Sequence, residues 1–109
     1  TEYRAVTVGT RIKDTVKRCN GNNQVVSTLD REQLVSIQTP QAFEYELIVR
    51  AHRQYKNGKF PSLRVTDDAS LVEALGQPVK VIEGSYENIK ITTPVDLLYA
   101  KLILKNRED

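Results

Sequence analysis

The segment Asn88-Ile89-Lys90-Ile91-Thr92-Thr93-Pro94 decides how this chain is read, because it passes from extended chain into helix within seven residues and places one lysine at the junction. Ile89-Lys90-Ile91 reads as a short strand. Thr93-Pro94-Val95-Asp96 then has a hydroxyl that can cap, a proline at the first helical position and an acid at the third, which together start a helix running to about Lys105. A helix start shows unpaired N–H groups and the positive end of its dipole, so it suits an anion, and Lys90 adds a whole charge beside it. A lysine at a strand end is by itself an ordinary solvated residue. The rest of the chain has to supply the context.

Upstream, the same alternation continues. Arg4-Ala5-Val6-Thr7-Val8, closed by Gly9, reads as a core strand. From Phe43 to Lys56 the apolar residues Phe43, Leu47, Ile48, Ala51 and Tyr55 recur at helical spacing, and Asn57-Gly58 supplies a stop. Thr66-Asp67-Asp68 opens a second helix that runs through Leu75 and ends at Gly76, and Val79-Lys80-Val81-Ile82 reads as a strand. Val35 to Pro40 reads as extended, since the residue before a proline is driven out of the α region. Strands alternating with helices point to an α/β layered fold.

One segment does not fit that core. Arg11 to Arg18 alternates, with Arg11, Lys13, Thr15 and Lys17 on one face, and Asn20-Gly21-Asn22-Asn23 turns the chain back into Gln24 to Leu29. This hairpin has little apolar surface on either side. A two-stranded hairpin is marginal alone in water and offers unpaired edges, so it is expected to be an arm, about residues 10–30, that packs on a partner subunit.

Composition narrows the function. The chain has 109 residues, enough for one domain with one modest core, and a net charge of +2 made of interspersed charges, short of the excess expected of a nucleic-acid binder. No aromatic residue interleaves with the basic residues of the arm to stack bases. No apolar run approaches the roughly 20 residues of a membrane span, and no secretory leader is evident, so a soluble cytoplasmic protein is expected. Cys19 is the only cysteine, which excludes an internal disulfide and is most simply a turn residue. His52 lies within a helix with no nucleophile around it and reads as a packing or surface residue. Asp67-Asp68 could hold a metal, but a helix cap explains the pair more simply. The five glycines make no GxG spacing, so no phosphate-cradling loop is present, and any nucleotide-binding loop must lie elsewhere.

Taken in order, Asp14-Thr15-Val16-Lys17-Arg18, Leu29-Asp30-Arg31, Gln38-Thr39-Pro40-Gln41-Ala42-Phe43, Thr66-Asp67-Asp68-Ala69-Ser70, Glu83-Gly84 and Asn88 to Pro94 resemble the C-terminal half of the 2-C-methyl-D-erythritol 4-phosphate cytidylyltransferase family. The resemblance covers essentially the whole chain as a single fragment, 1–109. It implies the C-terminal part of a Rossmann-like nucleotidyltransferase sheet with helices on its faces and a projecting β-hairpin arm. It also implies an activity: CTP and methylerythritol phosphate are joined to give CDP-methylerythritol and pyrophosphate, a step in isoprenoid precursor synthesis.

By the same resemblance Arg31 and Lys90 position the sugar phosphate over the nucleotide as the catalytic pair, and Thr15 reaches the substrate of a neighbouring subunit through the arm of a homodimer. Mg²⁺ is the implied cofactor, its ligands expected mainly in the family's other half and on the CTP phosphates, so the fragment alone should be inactive. Arg11 stands where many relatives have proline. With the covering half absent, an apolar sheet face should be exposed and promote association. Ribitol 5-phosphate cytidylyltransferase shares the Gln-Thr-Pro-Gln and Asn-Ile-Lys-Ile-Thr-Thr-Pro signatures and is the alternative within this chemistry. A non-catalytic dimerisation or RNA-binding module is the alternative outside it.

Overall fold

The computed structural model describes residues 3–108. In chain order it has β1 (Ala5–Arg11), β2 (Lys17–Cys19), β3 (Val25–Thr28), a 3₁₀ turn (Arg31–Gln33), β4 (Val35–Phe43), α1 (Tyr45–Lys56), α2 (Asp68–Ala74), β5 (Lys80–Glu83) and α3 (Pro94–Glu108). Three strands form a sheet in the order β4-β1-β5, and β2 pairs with β3 separately. The α/β expectation is met. The chain divides into two units, one built from the segment up to Val8 with Thr39–Glu83, the other from Gly9–Gln38 with the segment from Gly84 onward.

The first unit holds the larger core. Ala5, Leu47, Ala51, Leu71 and Val72 are buried together, with Phe43, Ile48, Leu63, Leu75 and Val79 packed around them. The helical spacing read from Leu47, Ile48 and Ala51 is therefore the face of α1 that meets α2. Asp67 caps α2, its carboxylate accepting from the Ser70 N–H at 2.9 Å, and Asp68 pairs with exposed His52 at 3.0 Å. The Asp67-Asp68 pair thus serves a helix start. Gly58 and Gly76 stop α1 and α2 with φ of +78° and +85°, a left-handed backbone that a Cβ disfavours. Arg4 holds Glu44 at the start of α1 at 2.8 Å, and that hydrogen bond keeps the Glu44 carboxyl below its ordinary pKa.

In the second unit the hairpin is real but shorter than its alternation suggests. β2 and β3 pair antiparallel with Lys17 opposite Thr28 and Arg18 opposite Ser27, and a bulge follows at Cys19, which ends a strand rather than forming a turn. Arg11 still belongs to β1, and residues 12–16 are irregular, so the alternation of Arg11, Lys13 and Thr15 does not mark a strand. The turn is built on Asn20, whose Oδ1 accepts from the N–H groups of Asn22 and Gln24 at 2.9 and 3.0 Å, and Asn23 takes the positive φ of 60°. Every residue of β2 is exposed.

Two further boundaries move. β1 continues through Gly9 to Arg11, and Ile89-Lys90-Ile91 is an extended loop instead of a strand. A strand needs a neighbour to bond with, and β-branched residues alone do not provide one. α3 runs on to Glu108 and is apolar on all sides: Ile103 is buried, whereas Val95, Leu98 and Leu104 are 71%, 64% and 59% exposed. Helices with that distribution are normally enclosed. None of the described helices is long and apolar enough to cross a membrane.

Candidate functional site

Arg31, Lys90 and Thr15 all fall in the second unit. Arg31 opens the 3₁₀ turn, where Asp30 acts as cap by accepting from the Glu32 N–H at 3.0 Å. The cap fixes the turn, and the turn sends the Arg31 side chain back along the chain. Its Nη1 donates to the carbonyl oxygen of Lys13 at 2.6 Å. Arg11 makes the reciprocal gesture, its Nη1 donating to the carbonyl oxygen of Glu32 at 2.9 Å.

These two crossings leave an open groove of about 700 Å³ lined by Arg11, Ile12, Lys13, Arg31 and Glu32. Three cations face one carboxylate around it. Each guanidinium spends one N–H on a carbonyl and keeps others for a ligand, which is the donor set that grips a phosphate in two places. Thr15 is exposed two residues beyond this lining, and Lys90 is exposed in the loop before α3. Neither lines the groove. The Lys90 ammonium makes no hydrogen bond or ion pair with another of the described residues.

The helix start beyond Lys90 is organised differently from the expectation. Asp96 Oδ2 accepts from the N–H groups of Thr92 and Thr93 at 3.1 and 3.0 Å and from the Thr92 hydroxyl at 3.0 Å, while Thr93 Oγ1 accepts from the Asp96 N–H at 3.3 Å. This is a capping box with aspartate in the acidic position. The Thr92 N–H foremost, then the threonine side chains, hold the Asp96 carboxyl below its ordinary pKa. The chain's own carboxylate thus takes the N–H groups of the two residues that precede α3.

The loop that carries Lys90 is anchored by side chains that sequence reading passed over. Gln38 donates from Nε2 to the carbonyl oxygens of Ser85 and Asn88 at 2.7 and 3.0 Å. The Gly84 N–H donates to the Gly9 carbonyl oxygen at 2.8 Å. Tyr86 donates its hydroxyl to the carbonyl oxygen of Arg11 at 2.9 Å, and its ring lies 4.2 Å below the Lys13 ammonium. A lone aromatic inside the polar run Glu83 to Glu87 was the one available signal for that contact. For Gln38 the signal was its place beside Thr39-Pro40.

No group of three or more His, Cys, Asp or Glu side chains among the described residues could hold a metal ion.

A family model described as 2-C-methyl-D-erythritol 4-phosphate cytidylyltransferase matches residues 1–106. The enzyme of that name from Pelotomaculum thermopropionicum is 52% identical over 106 residues, which is 97% of this chain and 43% of the relative. Among solved structures, 4-diphosphocytidyl-2C-methyl-D-erythritol synthase from Anaerococcus prevotii aligns over 95% of this chain and 47% of its own with a TM-score of 0.83 at 39% identity. The Thermus thermophilus 2-C-methyl-D-erythritol 4-phosphate cytidylyltransferase aligns over 95% and 49% with a TM-score of 0.75 at 33% identity. The chain spans under half the length of the relatives it matches. With residues 1–106 matched by the family model, the chain belongs to the 2-C-methyl-D-erythritol 4-phosphate cytidylyltransferase family.

Proposed function

We propose that this chain is the C-terminal half of an enzyme that joins CTP and 2-C-methyl-D-erythritol 4-phosphate, releasing pyrophosphate. The family match over residues 1–106 carries the reading. The order of Asp14-Thr15, Asp30-Arg31 and Asn88-Ile89-Lys90 supports the assignment to the C-terminal half.

In this reaction a phosphate oxygen of the sugar ester attacks the α-phosphorus of CTP and the bond to pyrophosphate breaks. The nucleophile is already ionised at neutral pH, so no side chain has to remove a proton. What the protein supplies is position and countercharge for two polyanions that must approach in line. Arg31 suits a bidentate grip on the sugar phosphate, with its free N–H groups directed by the bond to Lys13. Lys90 acts as a mobile point charge on the same ester. Thr15, near the base of the hairpin, completes the site of a neighbouring protomer in a homodimer joined through the arm. The CTP-binding loop and the residues associated with Mg²⁺ lie outside this chain, and the ion would otherwise be held by the CTP phosphates. We assign the enzyme to the cytoplasm.

Supporting this over a nucleic-acid reading, the ring of Tyr86, whose hydroxyl bonds the groove residue Arg11, is already covered by Lys13. The test is pyrophosphate release by the complete protein that carries this chain, supplied with CTP and either methylerythritol phosphate or ribitol phosphate. Release with the first at least tenfold faster than with the second is expected. Preference for ribitol phosphate, or no release with either, would overturn the proposal.

A further inference from the structure

Two residues that bind no substrate in the reading above connect its parts. Tyr86 lies four residues before Lys90, in the loop that Gln38 pins at Ser85 and Asn88. From there it touches the groove segment twice, through its hydroxyl on the Arg11 carbonyl at 2.9 Å and through its ring under the Lys13 ammonium at 4.2 Å. The carbonyl of that same Lys13 receives the Arg31 guanidinium at 2.6 Å. Residues 12–16 have no ladder of their own. The Val16 carbonyl accepts from the Leu29 N–H at 3.0 Å, and these side-chain contacts add to it in holding the irregular segment.

We propose that Tyr86 is a positioning residue for Arg31: by clamping the backbone of Arg11 to Lys13 it sets the carbonyl on which the guanidinium is aimed, and so the affinity for the sugar phosphate. The inference rests on the role given to Arg31 above. Tyr86 touches no reacting atom. Its ring also holds the Lys13 ammonium at the groove, so the loop that presents Lys90 and the segment that aims Arg31 move together. A loop pinned this way transmits a change at Lys90 to the groove without any rearrangement of the strands.

The test uses the complete protein with Tyr86→Phe, Tyr86→Leu, Arg31→Lys and the Tyr86→Phe/Arg31→Lys double variant. Loss of one hydrogen bond should raise KM for methylerythritol phosphate about fivefold in Tyr86→Phe while KM for CTP stays within twofold. Tyr86→Leu, which also removes the ring from Lys13, should raise it by about a further threefold. In the Arg31→Lys background Tyr86→Phe should add less than twofold, because the group it aims is gone. A Tyr86→Phe variant that lowers kcat with both KM values unchanged, or whose effect multiplies in full with that of Arg31→Lys, overturns the inference and leaves Arg31 in place. Full activity of Arg31→Lys overturns the underlying reading and the inference with it.

Discussion

The guanidinium of Arg31 reaches back across 18 residues to the carbonyl oxygen of Lys13, so the cation assigned to the substrate is itself held by backbone. A lysine at this position keeps the charge but lacks the planar fork that can bond the carbonyl and a phosphate together. Arg31→Lys should lower kcat/KM for methylerythritol phosphate by about ten- to hundredfold, in line with the loss of charge-assisted hydrogen bonds. Steady-state pyrophosphate release by the complete protein measures it, and a change under threefold would remove Arg31 from the site.

Gln38 fastens two carbonyls of the loop before Lys90. Gln38→Leu keeps much of the side-chain volume and removes both bonds. Amide hydrogen exchange in residues 84–91 should speed by at least tenfold in that variant, with the α1 and α2 amides unchanged. Equal protection in the loop would show that Gln38 is not its anchor.

At the start of α3 the Asp96 carboxyl is held below its ordinary pKa, principally by the Thr92 N–H. A depressed folded-state pKa means that the carboxylate's contribution is complete above the unfolded value, about 4, and is lost as pH falls through the lower folded value. The acid limb of a stability curve below about pH 4 should therefore be shallower in Asp96→Asn than in the unaltered chain. Chemical denaturation at a series of pH values reads this directly, and parallel limbs would contradict it.

Gly76 ends α2 at φ +85°, and a Cβ built there meets no atom within 4 Å. Gly76→Ala should cost about 1 kcal/mol from backbone strain alone. Leu47, 1% exposed in the core of the first unit, should cost about 2–5 kcal/mol as Leu47→Ala, because the void cannot close completely. Urea denaturation ranks the two, and a reversed order would mean that the core around Leu47 repacks.

Leu98 and Leu104 are more than half exposed on α3, as are Val95 and Leu102. An apolar surface of this kind favours association in water. The chain by itself should sediment with a mass that rises with concentration, and Leu98→Gln with Leu104→Gln should reduce that rise. A monomer at every concentration in both forms would oppose the expectation.

Much of the architecture was readable one residue at a time. Helical spacing through Leu47 and Ala51, the aspartate cap at Asp67, the glycine stops at Gly58 and Gly76, and the Thr93-Pro94-Asp96 start are signals confined to one or two turns, so local chemistry suffices to set them. The motif order that leads to the family is likewise a property of the linear chain. Strand ends were not readable: β1 extends past Gly9, and Ile89 to Ile91 forms no strand, because a strand exists only where another offers hydrogen bonds.

What the amino-acid order determined by itself was which residue types are available, Arg31 and Lys90 among them. Tertiary structure alone decided that Arg31 rests on Lys13 and that Tyr86 clamps Arg11. The physical reason is range. Caps and stops act within a few residues, whereas the Tyr86 hydroxyl meets its acceptor across 75 residues of chain, a pairing that only the folded backbone specifies.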